Sequence, residues 1–148
     1  DHEDGELTPS RVFLGAVVRC IREVRPYAVF THDPESIIIN DALVNHADHR
    51  ATGLTAIDAV YPAARDRLNF PEQIAAGLEP HKVKEIYIWG SERTNFEVDI
   101  TESIDAKLEA LRRHRSQFDD GFFEMARGIW GTPEGRFVES FRRVQMAF

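Results

Sequence analysis

The sequence is poor in the features that would assign it quickly. Its 148 residues hold one cysteine, so no disulfide can close within the chain, and a reducing, cytoplasmic setting is the expectation. Cys20 falls in a stretch of periodic apolar residues and reads as core packing rather than as a nucleophile or thiolate ligand. No apolar run approaches the ~20 residues of a membrane span, and no secretory signal is present. Positive charge is scarce too. Lys and Arg total 18 against 25 Asp and Glu, a net charge of −7, and the basic residues are scattered or paired. That excludes the electrostatic footprint of a nucleic-acid partner. The zincin HExxH, the EF-hand loop, the Walker and GxGxxG loops and the serine elbow are all missing.

What is present is a packed globular chain. Hydrophobic residues make up 43% and aromatic residues 10%, with no low-complexity tract. Thr8-Pro9-Ser10 opens a helix, with Thr8 as N-cap and Pro9 at the first helical position. Leu14, Val17, Ile21 and Val24 continue it at helical spacing until Arg25-Pro26. Tyr27 to Thr31 has the look of a buried strand. Ile37 to Ile39 is a further apolar run. A second helix starts near Asp48 through Leu54, Ile57, Val60 or Tyr61, and Ala64, with Pro62 kinking it. Residues 68–82 are irregular, with room for one short helix. Glu85 to Trp89 is a second strand, closed by Gly90. Asp99 and Glu102 resemble a capping box ahead of a long helix carrying Ile104, Leu108, Leu111 and Phe118. A last short helix is expected over Phe137 to Val144. Alternating helix and strand predict an α/β fold with a parallel sheet, although two strands are too few to make one.

The informative stretch is Val44-Asn45-His46-Ala47-Asp48-His49-Arg50-Ala51-Thr52-Gly53. Two histidines and an aspartate occupy four positions, about half of what a metal centre needs. The i, i+3 spacing brings His46 and His49 together on a turned or helical backbone. Asp48 is then a ligand or a carboxylate that orients an imidazole. The motif follows a strand and precedes a helix, at the sheet edge where open α/β folds place their sites. The competing reading makes Asn45 or Asp48 a helix cap and both histidines surface residues. A metallo-β-lactamase site would need histidine where Val44 stands.

His46-Ala47-Asp48-His49-Arg50-Ala51-Thr52-Gly53 closely resembles the H-P-D-H-R-A-T-G motif of the PIG-L / LmbE-like deacetylases, with Ala47 in place of the usual proline. Asp4 to Leu7, Ile21 to Pro26 and Thr31 to Pro34 resemble the segment preceding that motif. Glu85 to Gly90, Val98 to Thr101 and Lys107 to Gln117 resemble the segment following it. The resemblance therefore spans most of the chain. It implies a Rossmann-like α/β fold, a mostly parallel sheet flanked by helices. It also implies hydrolysis of an N-acetyl group on an N-acetylglucosamine-type substrate, using one zinc ion whose bound water is the nucleophile. Under that resemblance His49 is a zinc ligand, and His46 stabilises the tetrahedral oxyanion as an imidazolium. Asp48 orients His46 and favours its charged form.

The family's first motif, H-P-D-D-E, supplies the other ligands and the general base, and it has no counterpart here. His2-Glu3-Asp4-Gly5-Glu6 imitates it superficially, but no strand precedes it. The expectation is that residues 1–148 form a single domain, the carboxyl-terminal part of a larger deacetylase, with the amino-terminal strands and remaining zinc ligands outside this chain. An incomplete sheet also makes a homo-oligomer the expectation. The rival is a non-catalytic module that keeps the fold and binds a sugar or a protein. Other residues carry weaker expectations. His32 and Asp33 line the pocket or cap their loop. Asn40 and Asp41 could meet sugar hydroxyls. His114 belongs to packing or a subunit contact, His2 and His81 to solvent, and Trp89 and Trp130 to core or interface. Residues 68–82 and 122–136 are loops that would set selectivity.

Overall fold

The computed structural model describes residues 2–118 and 120–147, so residues 1, 119 and 148 of the expected 1–148 domain lie outside the description. The elements in chain order are α1 (Arg11–Val24), β1 (Ala28–His32), β2 (Ile38–Ile39), β3 (Leu43–Val44), α2 (Ala47–Asp58), a π-helical turn (Ala59–Ala63), α3 (Pro71–Ala75), β4 (Glu85–Trp89), β5 (Phe96–Asp99), α4 (Ile104–Arg112), α5 (Asp120–Ile129) and β6 (Val138–Gln145). They form two compact units, one of residues 1–95 and 141–148, the other of residues 96–140.

In the first unit β4 lies between β1 and β6, parallel to β1 and antiparallel to β6. The pleat sends Ile86 and Ile88 to one face and Glu85, Tyr87 and Trp89 to the other. Ile86 and Ile88 join Val18 and Ile21 of α1, Ala59, Val60, Ala63, Ala64, Phe70 and Val83 in the core. Phe30 of β1 pairs with Tyr87 in register, and their rings stack at 4.7 Å on the opposite face. There Glu85 is buried and accepts hydrogen bonds from Arg143, Tyr87 and Gln145. β2 and β3 form a small antiparallel hairpin that turns the chain into α2.

The core of this unit contains a cation. Arg22 is 2% exposed, and its guanidinium donates to the carbonyls of Ala63, Ala64, Asp66, Asn69 and Phe70 and to Gln73 Oε1. The five N–H donors of the planar group, one of them shared, serve these six oxygens, so one side chain ties the turn after the π-helical segment to α1.

The second unit packs Ile100, Ile104, Leu108 and Ala126 together, flanked by Leu111, Phe122, Trp130 and Phe137. Asp105 pairs with Arg127, and Lys107 with Glu139, across the same unit.

Several expectations are corrected. Residues 138–145 are a strand, not a helix. Phe137, Phe141 and Val144 mimic helical spacing, but pairing with β4 puts Phe141 and Val144 on opposite faces, and that tertiary contact overrides the local pattern. The long helix from Ile104 stops at Arg112, followed by turns in which His114 N donates to Leu111 O and Gln117 N to His114 O. A separate helix, α5, then takes up residues read as loop. Ser10, not Thr8, caps α1, its hydroxyl accepting from Phe13 N at 3.1 Å. Asp99 closes a local turn on Thr101 N instead of a capping box. Cys20 is exposed, because the buried stripe of α1 runs through Val18, Ile21 and Arg22 and leaves it to one side. Gly90 does close β4, at φ 69°, where glycine has no Cβ penalty. Among the described residues no helix is long and apolar enough to cross a membrane.

Candidate metal and acyl-transfer site

The site assembles where the parallel pair β1/β4 ends. His32 is the last residue of β1 and Trp89 the last of β4, and the two are register partners. α2 is laid against this edge by Gly53. A Cβ there would fall 2.4 Å from the His32 carbonyl oxygen and 3.1 Å from Pro34, so only glycine permits the approach. The result stacks His49, in the first turn of α2, on His32 with ring centroids 4.2 Å apart and planes 13° from parallel. Trp89 meets the same His32 ring edge-on at 4.7 Å.

His46 is the N-cap of α2, and its Nδ1 accepts the Asp48 amide at 3.2 Å. The acceptor role leaves the ring neutral with its proton on Nε2, which faces Asp4 Oδ1 at 3.7 Å, in place of the imidazolium that the resemblance implied. The His46 and His49 rings lie 5.4 Å apart. The Asp48 carboxylate is only partly exposed and binds backbone: Oδ2 accepts from Gly5 N at 2.8 Å and Oδ1 from Leu7 N at 3.1 Å. Its distance to His46 Nδ1 is 4.0 Å. Asp48 thus pins the segment before α1 over the start of α2, while its amide sets the His46 tautomer. Asn45 does not cap the helix. It is buried, gives Nδ2 to Ser36 O at 2.8 Å, and its carbonyl accepts from Arg50.

Asp4, His46 and Asp48 each offer a ligand atom within 4.8 Å of the others. His46 Nδ1 and one lone pair on each Asp48 oxygen already accept amide protons, whereas the Asp4 carboxylate is exposed. His49 differs. Among the described residues no hydrogen bond engages its nitrogens, so it can present an imidazole donor to a cation. The chemistry fits zinc, which takes neutral imidazole, but one free donor does not close a tetrahedral shell. A zinc site using His49 needs donors beyond those gathered here.

Beside the motif opens a cavity of about 830 Å³ walled mainly by apolar groups, among them Leu7, Pro34, Leu54 and Tyr61, with Arg50 and Arg142 at its polar margin. The helix start at its rim also favours anionic groups.

The remaining histidines and polar residues sort as follows. Burial and the neighbouring His49 lower the pKa of His32 to about 4, so its ring is neutral near pH 7. Asp33 caps its loop, accepting from Glu35 N at 2.8 Å. Asn40 and Asp41 both take left-handed backbone conformations in the hairpin turn. His81 is partly buried against the Pro26 carbonyl at 2.8 Å, not solvated. His114 is exposed, and His2 packs edge-on against Phe13. Trp130 belongs to the core of the second unit, with Lys107 Nζ 4.5 Å from its ring centroid. Asp4, set aside above as part of a superficial imitation of the first motif, and the Gly5 and Leu7 amides are the motif's neighbours in space. Gly5 and Leu7 sit 43 and 41 positions before Asp48, a separation that no local spacing announces.

This is an α/β protein with a histidine-bearing motif at the carboxyl edge of its parallel strands. No family model matches the chain. The diacetylchitobiose deacetylase of Thermococcus kodakarensis is 34% identical over 125 residues, 84% of this chain and 45% of that protein. The N,N'-diacetylchitobiose deacetylase of Pyrococcus horikoshii, solved with an inhibitor, superposes with a TM-score of 0.83 at 29% identity, covering 98% of this chain and 55% of that one. A conserved protein of Thermus thermophilus superposes at 0.71 with 25% identity, covering 99% of this chain and 65% of its own. The chain belongs to the LmbE/PIG-L-like deacetylase family. It spans about half the length of the curated relative it matches.

Proposed function

We propose that this chain is the carboxyl-terminal part of a zinc-dependent N-deacetylase that hydrolyses the acetamide of an N-acetylglucosamine-type substrate. The observation that carries the reading is His46-Ala47-Asp48-His49 at the carboxyl edge of the β1/β4 pair, in a chain similar to diacetylchitobiose deacetylases. Substrate class comes from those relatives, since nothing in the cavity walls names a sugar.

The proposed roles are those the resemblance implies, and the side-chain geometry supports them. His49 offers the free imidazole that holds the metal. When bound, zinc supplies Lewis acidity and brings the pKa of water towards ~7. His46 carries its proton on Nε2 and can donate it as a hydrogen bond to the acetamide oxygen as negative charge develops there. Asp48 fixes that tautomer through its amide and holds the Gly5–Leu7 segment in place. Water adds to the carbonyl carbon, the C–N bond breaks, and acetate and the free amine leave. The base that takes the water's proton and the other zinc ligands lie on a segment outside this chain. A cytoplasmic location and association into a homo-oligomer complete the proposal.

The second reading, a non-catalytic sugar- or protein-binding module, is favoured by one observation. Among the described residues the ligand atoms that gather are those of Asp4, His46 and Asp48, without His49, so the chain's own donors do not complete a metal shell around His49. Acetate release from N,N'-diacetylchitobiose by the complete protein separates the two. The deacetylase reading requires zinc-dependent turnover that His46→Ala lowers by about 10²-fold or more with zinc retained. Absence of turnover in the zinc-loaded complete protein would establish the module.

A further inference from the structure

We propose that His32 is a positioning residue for His49: its imidazole, stacked on one face of the His49 ring and backed by Trp89, sets the orientation in which His49 meets a metal. This rests on the reading of His49 as a metal ligand.

A metal-binding histidine usually has its second ring nitrogen held by a carboxylate, carbonyl or water, which fixes the ring. His49 has no such hydrogen bond among the described residues. It is exposed and stands in the first turn of α2, where its side chain would otherwise be free to rotate. The structure replaces the missing hydrogen bond with a face contact. The rings of His32 and His49 lie 4.2 Å apart and within 13° of parallel. Offset or parallel aromatic stacking at this spacing restricts a ring without engaging its nitrogens, so both remain available to a cation.

His32 is itself held for the purpose. It closes β1, and its register partner Trp89 closes β4, so the backbone ladder sets the 4.7 Å edge contact between them. The close approach of Gly53 to the His32 carbonyl sets the distance of α2 from the same residue. β4 through Trp89 and α2 through His49 therefore meet on one imidazole. Among the described residues His32 Nδ1 is buried with no hydrogen-bond partner, and the contacts of the ring are with His49 and Trp89.

The test is side-chain NMR on the metal-free full chain, reading the Hα–Hβ couplings and ring-proton shifts of His49. The wild type is expected to show one His49 rotamer with ring protons shifted upfield by the stack. His32→Ala should average the couplings and abolish the shift, whereas His32→Phe, which keeps a ring, should retain both. If His32→Ala fails to fold, His32→Gln provides the same comparison without an aromatic plate. In the complete protein, zinc affinity should fall about 3- to 10-fold in His32→Ala and stay near the wild-type value in His32→Phe. Unchanged couplings and shifts in His32→Ala or His32→Gln would overturn the proposal. Failure of the underlying reading shows separately, as zinc retained by His49→Ala, because the NMR measurement needs no metal.

Discussion

Gly53 and the His32 carbonyl are closer than any side-chain-bearing residue would permit: a Cβ on Gly53 would sit 2.4 Å from that oxygen. The contact is with backbone, so no rotamer change can relieve it. Gly53→Ala is expected to push α2 off the end of β1 at a cost of about 1–3 kcal/mol. Denaturant midpoints measure the cost. Loss of the His32–His49 ring contact in the variant's NMR spectrum would report the displacement.

Asp48 should act on the chain before α1 as much as on His46. Its two oxygens accept the Gly5 and Leu7 amides, charge-assisted bonds of about 1.5–3 kcal/mol in sheltered settings and less at this partly exposed site. Asp48→Ala is expected to raise hydrogen exchange at those two amides by about tenfold while α1 amides keep their protection. Unchanged exchange at Gly5 and Leu7 would contradict the assignment.

Arg22 should be the least replaceable charge in the first unit. Burial lowers its pKa, and its six acceptors are carbonyl or amide oxygens rather than a carboxylate. Arg22→Met would strand those oxygens, and Arg22→Lys cannot reach them as a fork. Each is expected to cost about 3–5 kcal/mol, visible as a fall in the unfolding midpoint.

Stability of the metal-free protein should fall with acidification in two windows. His32 has its pKa lowered from 6.5 to about 4 by burial and then by His49, so the unfolded state binds a proton first. Its contribution is complete above pH 6.5 and is lost as pH drops towards 4, by something on the order of 1–2 kcal/mol for a partly shielded ring. Glu85 is lowered from 4.5 to about 2, first by its hydrogen bond from Arg143 and then by that from Tyr87, so its contribution is lost between pH 4.5 and 2. His32→Phe should flatten the first window and Glu85→Gln the second, read from urea midpoints across pH.

Legibility varied with how local the cause was. Strands β1 and β4 and the helix after Asp48 were readable because short apolar runs and helical periodicity need no partner to be seen. The motif residues His46, Asp48 and His49 were readable for the same reason, since their spacing is a local fact. β6 was not, because Phe137, Phe141 and Val144 satisfy a helical template and only pairing with β4 decides otherwise. Cys20, expected in the core, faces water, while the cation Arg22 fills the core. Nothing in α1 itself reveals the ring of carbonyls that receives Arg22. The partners of Asp48 were hidden by a sequence separation of 41 to 43 residues.

The central claim is that His49 binds a metal that also needs donors outside this chain. Zinc content of the purified complete protein, measured by elemental mass spectrometry beside its His49→Ala variant, tests it most directly. The account predicts one zinc per molecule in the wild type and none in the variant. Zinc at full stoichiometry in His49→Ala would contradict it.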